Sequence, residues 1–341
     1  MNSPRSMSNW LSLQPEQALL LVMDSSFIAK SGKATTGIDW YWNGCASRVG
    51  KGLEISVVSV VDVETRTAYA LSAQQTLAQA EMPSDITRMD QYLYHLEAVR
   101  LHLPHQVRYL AVDGAYAKEG FVRGAVDCQL DVISKLRGDA NLRYFYTGEQ
   151  KTRGRPRKYD GKVDFTDLSR FTCIKAVQPN VDLYTQRVWH VSLKREIRVV
   201  YLMDCRVPHR VRTCLLFSTD VEQDPTQIMQ FYQLRFQIEF LFRDAKQFTG
   251  LEDCQARDLT KLEFHFNACL TALNLAKVET SPPHRPHPAQ EPVPFSMATL
   301  KRRALSQHLL ERFIKALDLE PTLIKSHPNY PTLRDYGIIA A

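Results

Sequence analysis

Ala18-Leu-Leu-Leu-Val-Met-Asp24 is a short, unbroken apolar run that ends on a carboxylate. A run of this length without polar alternation reads as a central strand covered on both faces. Two segments rich in β-formers follow, Glu54 to Val63 (EISVVSVVDV) and Arg66 to Gln74 (RTAYALSAQ), with a short turn near Glu64-Thr65 between them. They read as a hairpin. From Met89 to Leu103 the period changes to helical, with Tyr92, Leu96, Val99 and Leu103 on one face and Pro104 as the stop. Val107 to Val112 is a second buried strand, ending in Asp113-Gly114; a short helix over Lys118 to Ala125 and a strand over Leu130 to Leu136 come next. Strand, hairpin, helix, strand, helix, strand is an α/β order that suits a mixed sheet with helices on its faces.

The pattern alters again between Arg137 and Phe217. Stretches such as Val188-Trp-His-Val-Ser-Leu193 and Val199-Val-Tyr-Leu-Met203 alternate and read as a mostly β insertion. A long helix is expected from Pro225 to about Phe248, an apolar helix from Leu262 to Val278, and an amphipathic helix from Ala298 to Leu317. Ser281 to Pro294 (SPPHRPHPAQEPVP) reads as an extended linker. The expected organisation is therefore a short N-terminal segment (1–17), a core formed by 18–136 and 218–280, a β-rich insertion (137–217), a Pro-rich linker (281–295) and a C-terminal helical tail (296–341).

A chain of 341 residues with a formal charge of +6 can build its core without disulfides, and an anionic partner is compatible with that charge. The seven cysteines, at 45, 128, 173, 205, 214, 254 and 269, include no C-x-x-C pair, so free thiols in a reducing compartment are expected rather than a zinc or redox site. The first residues lack the plan of a signal peptide, and no apolar run approaches the roughly 20 residues of a membrane span. The expectation is a cytoplasmic protein with no membrane partner.

The chemistry concentrates in Phe231-Tyr-Gln-Leu-Arg-Phe-Gln-Ile-Glu-Phe-Leu-Phe-Arg-Asp-Ala-Lys246. At about 100° per residue, Tyr232, Arg235, Glu239 and Lys246 fall within a stripe roughly 60° wide, beside an apolar stripe of Leu234, Ile238, Leu241 and Ala245. A carboxylate between cations suits phosphate chemistry, the acid holding a metal and the cations holding phosphate oxygens. A plain helix with solvated polar residues is the bland alternative. Asp24 and Asp113 weigh against it, because each is expected to end a buried strand, where a lone carboxylate is costly unless it binds something. The two strands are also expected to be neighbours.

Tyr232-x2-Arg235-x3-Glu239-x6-Lys246 resembles the Y-R-E-K signature of the IS4-type DDE transposases. Asp113-Gly-Ala-Tyr116 is similar to the second-aspartate motif of that family, and Leu-Val-Met-Asp24 to the first. The resemblance spans about residues 18 to 280. It implies an RNase H-like fold with a β-rich insertion, in which Asp24, Asp113 and Glu239 coordinate two Mg²⁺ ions, with Mn²⁺ able to substitute. It implies cleavage at transposon ends with water as nucleophile, then attack of the freed 3′-OH on target DNA. Tyr232, Arg235 and Lys246 would grip phosphates, with Arg243 a weaker candidate on the same face. Double-stranded DNA and a second copy of the chain, assembled as a homodimer on that DNA, are the implied partners. Relatives carry a helical end-recognition domain before the first acid, whereas here Asp24 lies near the start. A DNA-binding remnant without activity and a metal-dependent nuclease of the same fold therefore stay open beside an active transposase.

Lys151-Thr-Arg-Gly-Arg-Pro-Arg-Lys158 is the densest basic run, and its Arg153-Gly-Arg-Pro156 core resembles an AT-hook. Arg153, Arg155, Arg157 and Lys158 are expected to contact phosphates, against the alternative of a solvated loop. Trp189 is the only tryptophan of the expected insertion, where the resemblance implies one that stacks on a flipped base; a place in the core is the expectation weighed against that role. Ser31-Gly-Lys33 lacks the glycine a phosphate loop requires at position 27, where Phe stands. His284 and His287 share the Pro-rich linker, which makes an ordered metal site there unexpected. Asp39, Asp62, Asp127 and Asp131 read as turn or surface acids.

Overall fold

In a computed structural model, described over residues 18–207, 210–280 and 295–338 (backbone alone at 175–178), strand β1 (Leu19–Ala29) lies at the centre of a sheet. The other strands are β2 (Asp39–Asn43), β3 (Arg48–Asp62), β4 (Thr67–Thr76), β5 (Tyr109–Val112), β6 (Asp131–Leu136), β7 (Leu142–Phe145), β8 (Tyr159–Lys162), β9 (Thr172–Gln178), β10 (Val181–His190), β11 (Arg195–Val207) and β12 (Arg210–Ser218). All twelve belong to one sheet, ordered β2-β3-β1-β5-β6-β12-β11-β10-β7-β8, with β4 on β3 and β9 on β10. Strand β3 runs antiparallel to β1 and to β4, so the expected hairpin is present, with Asp62 accepting from the Glu64 and Thr65 amides in its turn. Strands β1, β5 and β6 are parallel. This is the mixed sheet of an RNase H-like fold.

Alternation along the strands divides the apolar side chains between two layers. Leu20 and Val22 of β1 face the cluster built with helices α3 (Pro225–Leu234), α4 (Gln237–Phe248) and α5 (Leu259–Thr280). Leu21 and Met23 face the opposite cluster, built with α1 (Arg88–Arg100) and α2 (Glu119–Asp127). Helix α1 starts in a capping box between Thr87 and Asp90, which satisfies two free amides at its first turn. It ends at Arg100, before the expected Leu103. Helix α6 (Met297–Ala316) carries two short helices, α7 (Pro321–Lys325) and α8 (Tyr330–Arg334), at its side. No helix among the described residues is long and apolar enough to cross a membrane.

Two sequence expectations are corrected. Strand β1 does not stop at Asp24 but continues to Ala29, because β3 is long enough to pair with it to Gly52. The helix expected from Pro225 to Phe248 is interrupted at Arg235–Phe236, where the Phe236 amide bonds to Gln233 O and the Glu239 amide to Phe236 O, both at i→i−3. Tightened bonds of this kind mark a local 3₁₀ stretch. The expected Pro-rich linker with His284 and His287, and the N-terminal segment 1–17, lie outside the described residues.

The strands of the expected insertion are not a separate sheet. Strand β12 pairs with β6 at Leu215↔Leu136, which joins the 142–218 region to the core through continuous backbone hydrogen bonds. Trp189, on β10, is half-buried and packs against Tyr159 at 5.8 Å between ring centroids.

Candidate active site

Parity and register bring the two aspartates together. Met23 of β1 pairs with Val112 of β5, so Asp24 and Asp113, each the next residue, leave adjacent strands side by side. Both continue the alternation of residues that face α3 to α5. Asp113 is held by its own loop: its carboxylate accepts from the Ala115 amide at 3.4 Å, and its carbonyl accepts from Ser134 Oγ at 3.0 Å. Gly114 lets the loop pass close to the neighbouring strand, since a Cβ there would stand 3.0 Å from the Lys135 carbonyl oxygen, a tight contact.

The tightened turn between α3 and α4 delivers the third acid. Arg235 is 4 % exposed and sits between the carboxylates, Nη1 3.3 Å from Asp24 Oδ2 and Nη2 2.9 Å from Glu239 Oε1. One guanidinium therefore spans the first and third acids. Its Nε is buried without a hydrogen-bond partner. Burial pushes the Asp24 carboxyl up to about 6; Arg235 and the Ser25 amide oppose that rise, and Asp113 and Glu239 add to it. Burial lowers the Arg235 pKa, but Asp24, Tyr232 and Glu239 more than offset that effect and raise it overall. Three acids in electrostatic reach of one another, one of them desolvated, make a site that gains from a cation.

That chemistry fits divalent metal, although no group of three His, Cys, Asp or Glu side chains among the described residues is already arranged around one ion position. The Arg235 guanidinium holds the cationic place between Asp24 and Glu239.

Tyr232 is 9 % exposed, its hydroxyl pushed up to about 12 by burial, and its ring lies 5.6 Å from the Arg235 guanidinium. Lys246 donates to the Phe27 carbonyl at 2.6 Å and pairs with Glu252 at 3.1 Å, so it sits over β1 just beyond Asp24. Arg243, half-exposed one turn after Glu239, pairs with Asp244 at 3.0 Å and stacks over Phe240. The basic run lies between β7 and β8, at the far edge of the sheet. Arg153, Arg155 and Lys158 are exposed there, while Arg157 pairs with Asp160 at 2.7 Å and covers the Tyr146 ring.

Sequence reading missed Ser25, whose amide holds Asp24 Oδ1 at 2.8 Å, and Ser134, which fixes the Asp113 backbone. Neighbour position in the sheet was the available signal for Ser134. It also missed the Lys246 partner Glu252, which only the fold brings back to the α4 face.

The profile of the family described as transposase DDE domain matches residues 15–275, most of the chain. The protein belongs to the DDE transposase family. No match is found among curated proteins. Members of this family act with divalent metal ions on DNA, and transposition is the function the family indicates.

Proposed function

We propose that the chain is the transposase of an insertion sequence of the IS4 type, with Asp24, Asp113 and Glu239 as its metal-binding acids. The observation that carries this reading is the Arg235 guanidinium bridging Asp24 and Glu239 beside Asp113. The bridge joins two acids remote in the chain through one guanidinium, and Asp113 lies within electrostatic reach of Asp24. When bound, two divalent ions supply activation of the attacking oxygen and stabilisation of the leaving one.

The chain's own residues prepare that site. Ser25 and Ser134 fix the two aspartates, leaving carboxylate oxygens directed to the α4 side. Burial makes Asp24 a strong ligand for a cation, because a desolvated carboxylate is the group that loses most by standing unpaired. Arg235 and Tyr232 offer a charge-assisted donor and a hydroxyl for phosphate oxygens next to the scissile bond. Lys246 reaches a phosphate by exchanging Glu252 for it, while Arg243 is held by Asp244 and contributes less. Double-stranded DNA at transposon ends and at the target is the substrate, held by a homodimer.

One assay separates this reading from its rivals: purified chain, Mg²⁺ or Mn²⁺, and DNA carrying the element's terminal repeats. Joined products that vanish in Asp113→Ala support it. Binding without cutting identifies a DNA-binding remnant, and cutting without joining a nuclease.

A further inference from the structure

Strand β2 reads Asp39-Trp-Tyr-Trp-Asn43, and its alternation is inverted relative to ordinary economy: Tyr41 is fully buried while Trp40 and Trp42 are 62 % and 59 % exposed. The hairpin is firmly held from beneath. The Tyr41 hydroxyl shares its one proton between the Gly37 and Thr76 carbonyls, Arg88 covers its ring at 4.7 Å, and the Phe27 ring lies under Gly50 and Gly52. The two indoles are thus displayed on a fixed platform rather than left on a loose loop.

Register tells which face they share. Trp40 pairs with Lys51 and Trp42 with Val49, and these positions continue the parity of Leu53, which pairs with Ile28. Leu53 and Ile28 belong to the same layer as Val22, two positions before Asp24. The tryptophans therefore stand on the sheet face that carries the acids. They lie about 20 Å further along the strands, at about 3.3 Å per residue. Lys51, paired with Trp40, and Val49, paired with Trp42, are exposed on that face, and Lys33 and Arg48 are exposed before β2 and at the start of β3.

We propose that Trp40 and Trp42 stack on unpaired bases of a DNA strand entering or leaving the acid site, with Lys51 and its basic neighbours on the phosphates. Indole faces accept any base, and cations beside them track the backbone, which is the combination that binds single strands. The surrounding positive charge favours a nucleic acid over a second copy of this chain, whose own hairpin repeats the same charge. The inference rests on the DNA-processing function above, from which it can be separated by experiment.

The test uses the full chain, a blunt duplex of about 20 base pairs, the same duplex with an unpaired dT tail, and an unpaired dT oligonucleotide. Trp40→Ala with Trp42→Ala is expected to weaken binding of the tailed duplex and the oligonucleotide by about tenfold or more. Blunt-duplex affinity stays the same. Trp40→Phe with Trp42→Phe, which keeps aromatic faces, is expected to restore most of the loss. Equal weakening on all three DNAs, or no weakening, overturns the inference. So does a change in oligomeric state of the free protein on alanine substitution, which would make the hairpin a contact between copies. Absence of binding to any DNA by the unaltered protein instead overturns the function proposed above.

Discussion

Arg235 places a terminal nitrogen 3.3 Å from Oδ2 of Asp24, a residue 211 positions earlier in the chain. The side chain proposed to hold phosphate is thus also the counter-ion of Asp24. Arg235→Ala removes a buried charge from a partly buried partner and is expected to destabilise the protein by about 2–3 kcal/mol in the presence of EDTA. Mg²⁺ is expected to raise the melting temperature of the variant more than that of the unaltered protein, since a cation then supplies the missing charge. Equal responses to Mg²⁺ in the two proteins would remove the metal from this position.

The basic run gives a separable prediction. Each phosphate contact contributes about 0.9 to the slope of log affinity against log salt on duplex DNA. Arg153 and Arg155 are exposed, whereas Arg157 is already paired with Asp160. Neutralising all three is therefore expected to flatten the slope by about two rather than three. Titration of a duplex at several salt concentrations reads this directly, and an unchanged slope excludes the loop from the interface.

Acid sensitivity should trace to His95. It is buried between Ser56 and Ser72, at 2.7 and 3.0 Å, and burial lowers its pKa from 6.5 to about 4. A histidine held neutral in the folded state contributes stability that is fully present above pH 6.5. That stability is lost as pH falls through the interval down to about 4, because the unfolded chain takes up the proton first. The loss amounts to about 3 kcal/mol at 1.36 kcal/mol per unit. Urea unfolding of His95→Gln between pH 7 and 4 is expected to show a shallower decline; a parallel curve would place the sensitivity elsewhere.

Gly52 joins three strands, pairing with Ala29 on one side and Asp39 on the other. A Cβ there would stand 2.5 Å from the Ile28 carbonyl oxygen and 2.7 Å from the Phe27 ring. Gly52→Ala is expected to cost about 1–3 kcal/mol, as overpacking does, visible as a lower melting temperature. An unchanged transition would show that the strands part there more easily than their pairing implies.

Periodicity carried most of the architecture. The run ending at Asp24, the hairpin after it and the strand ending at Asp113 lie where their β-rich pattern puts them, because central strands allow few other compositions. Boundaries depended on partners that sequence does not display. Strand β1 passes Asp24 because β3 is long enough to pair it, and the helix before Glu239 breaks where Arg235 turns into the acids. The Trp40 and Trp42 surface was invisible for the same reason, since only the pairing of β2 with β3 decides which of its faces is covered.

Because one sheet runs from β1 to β8, the acids and the Arg153 loop are fixed to a common plate. Seven inter-strand steps of about 4.8 Å separate them, about 34 Å along the sheet and less in a straight line as it twists. A turn of duplex DNA measures about the same. On the proposed function the fold acts as a ruler, bringing the arginines to the duplex within about one turn of the bond to be cut.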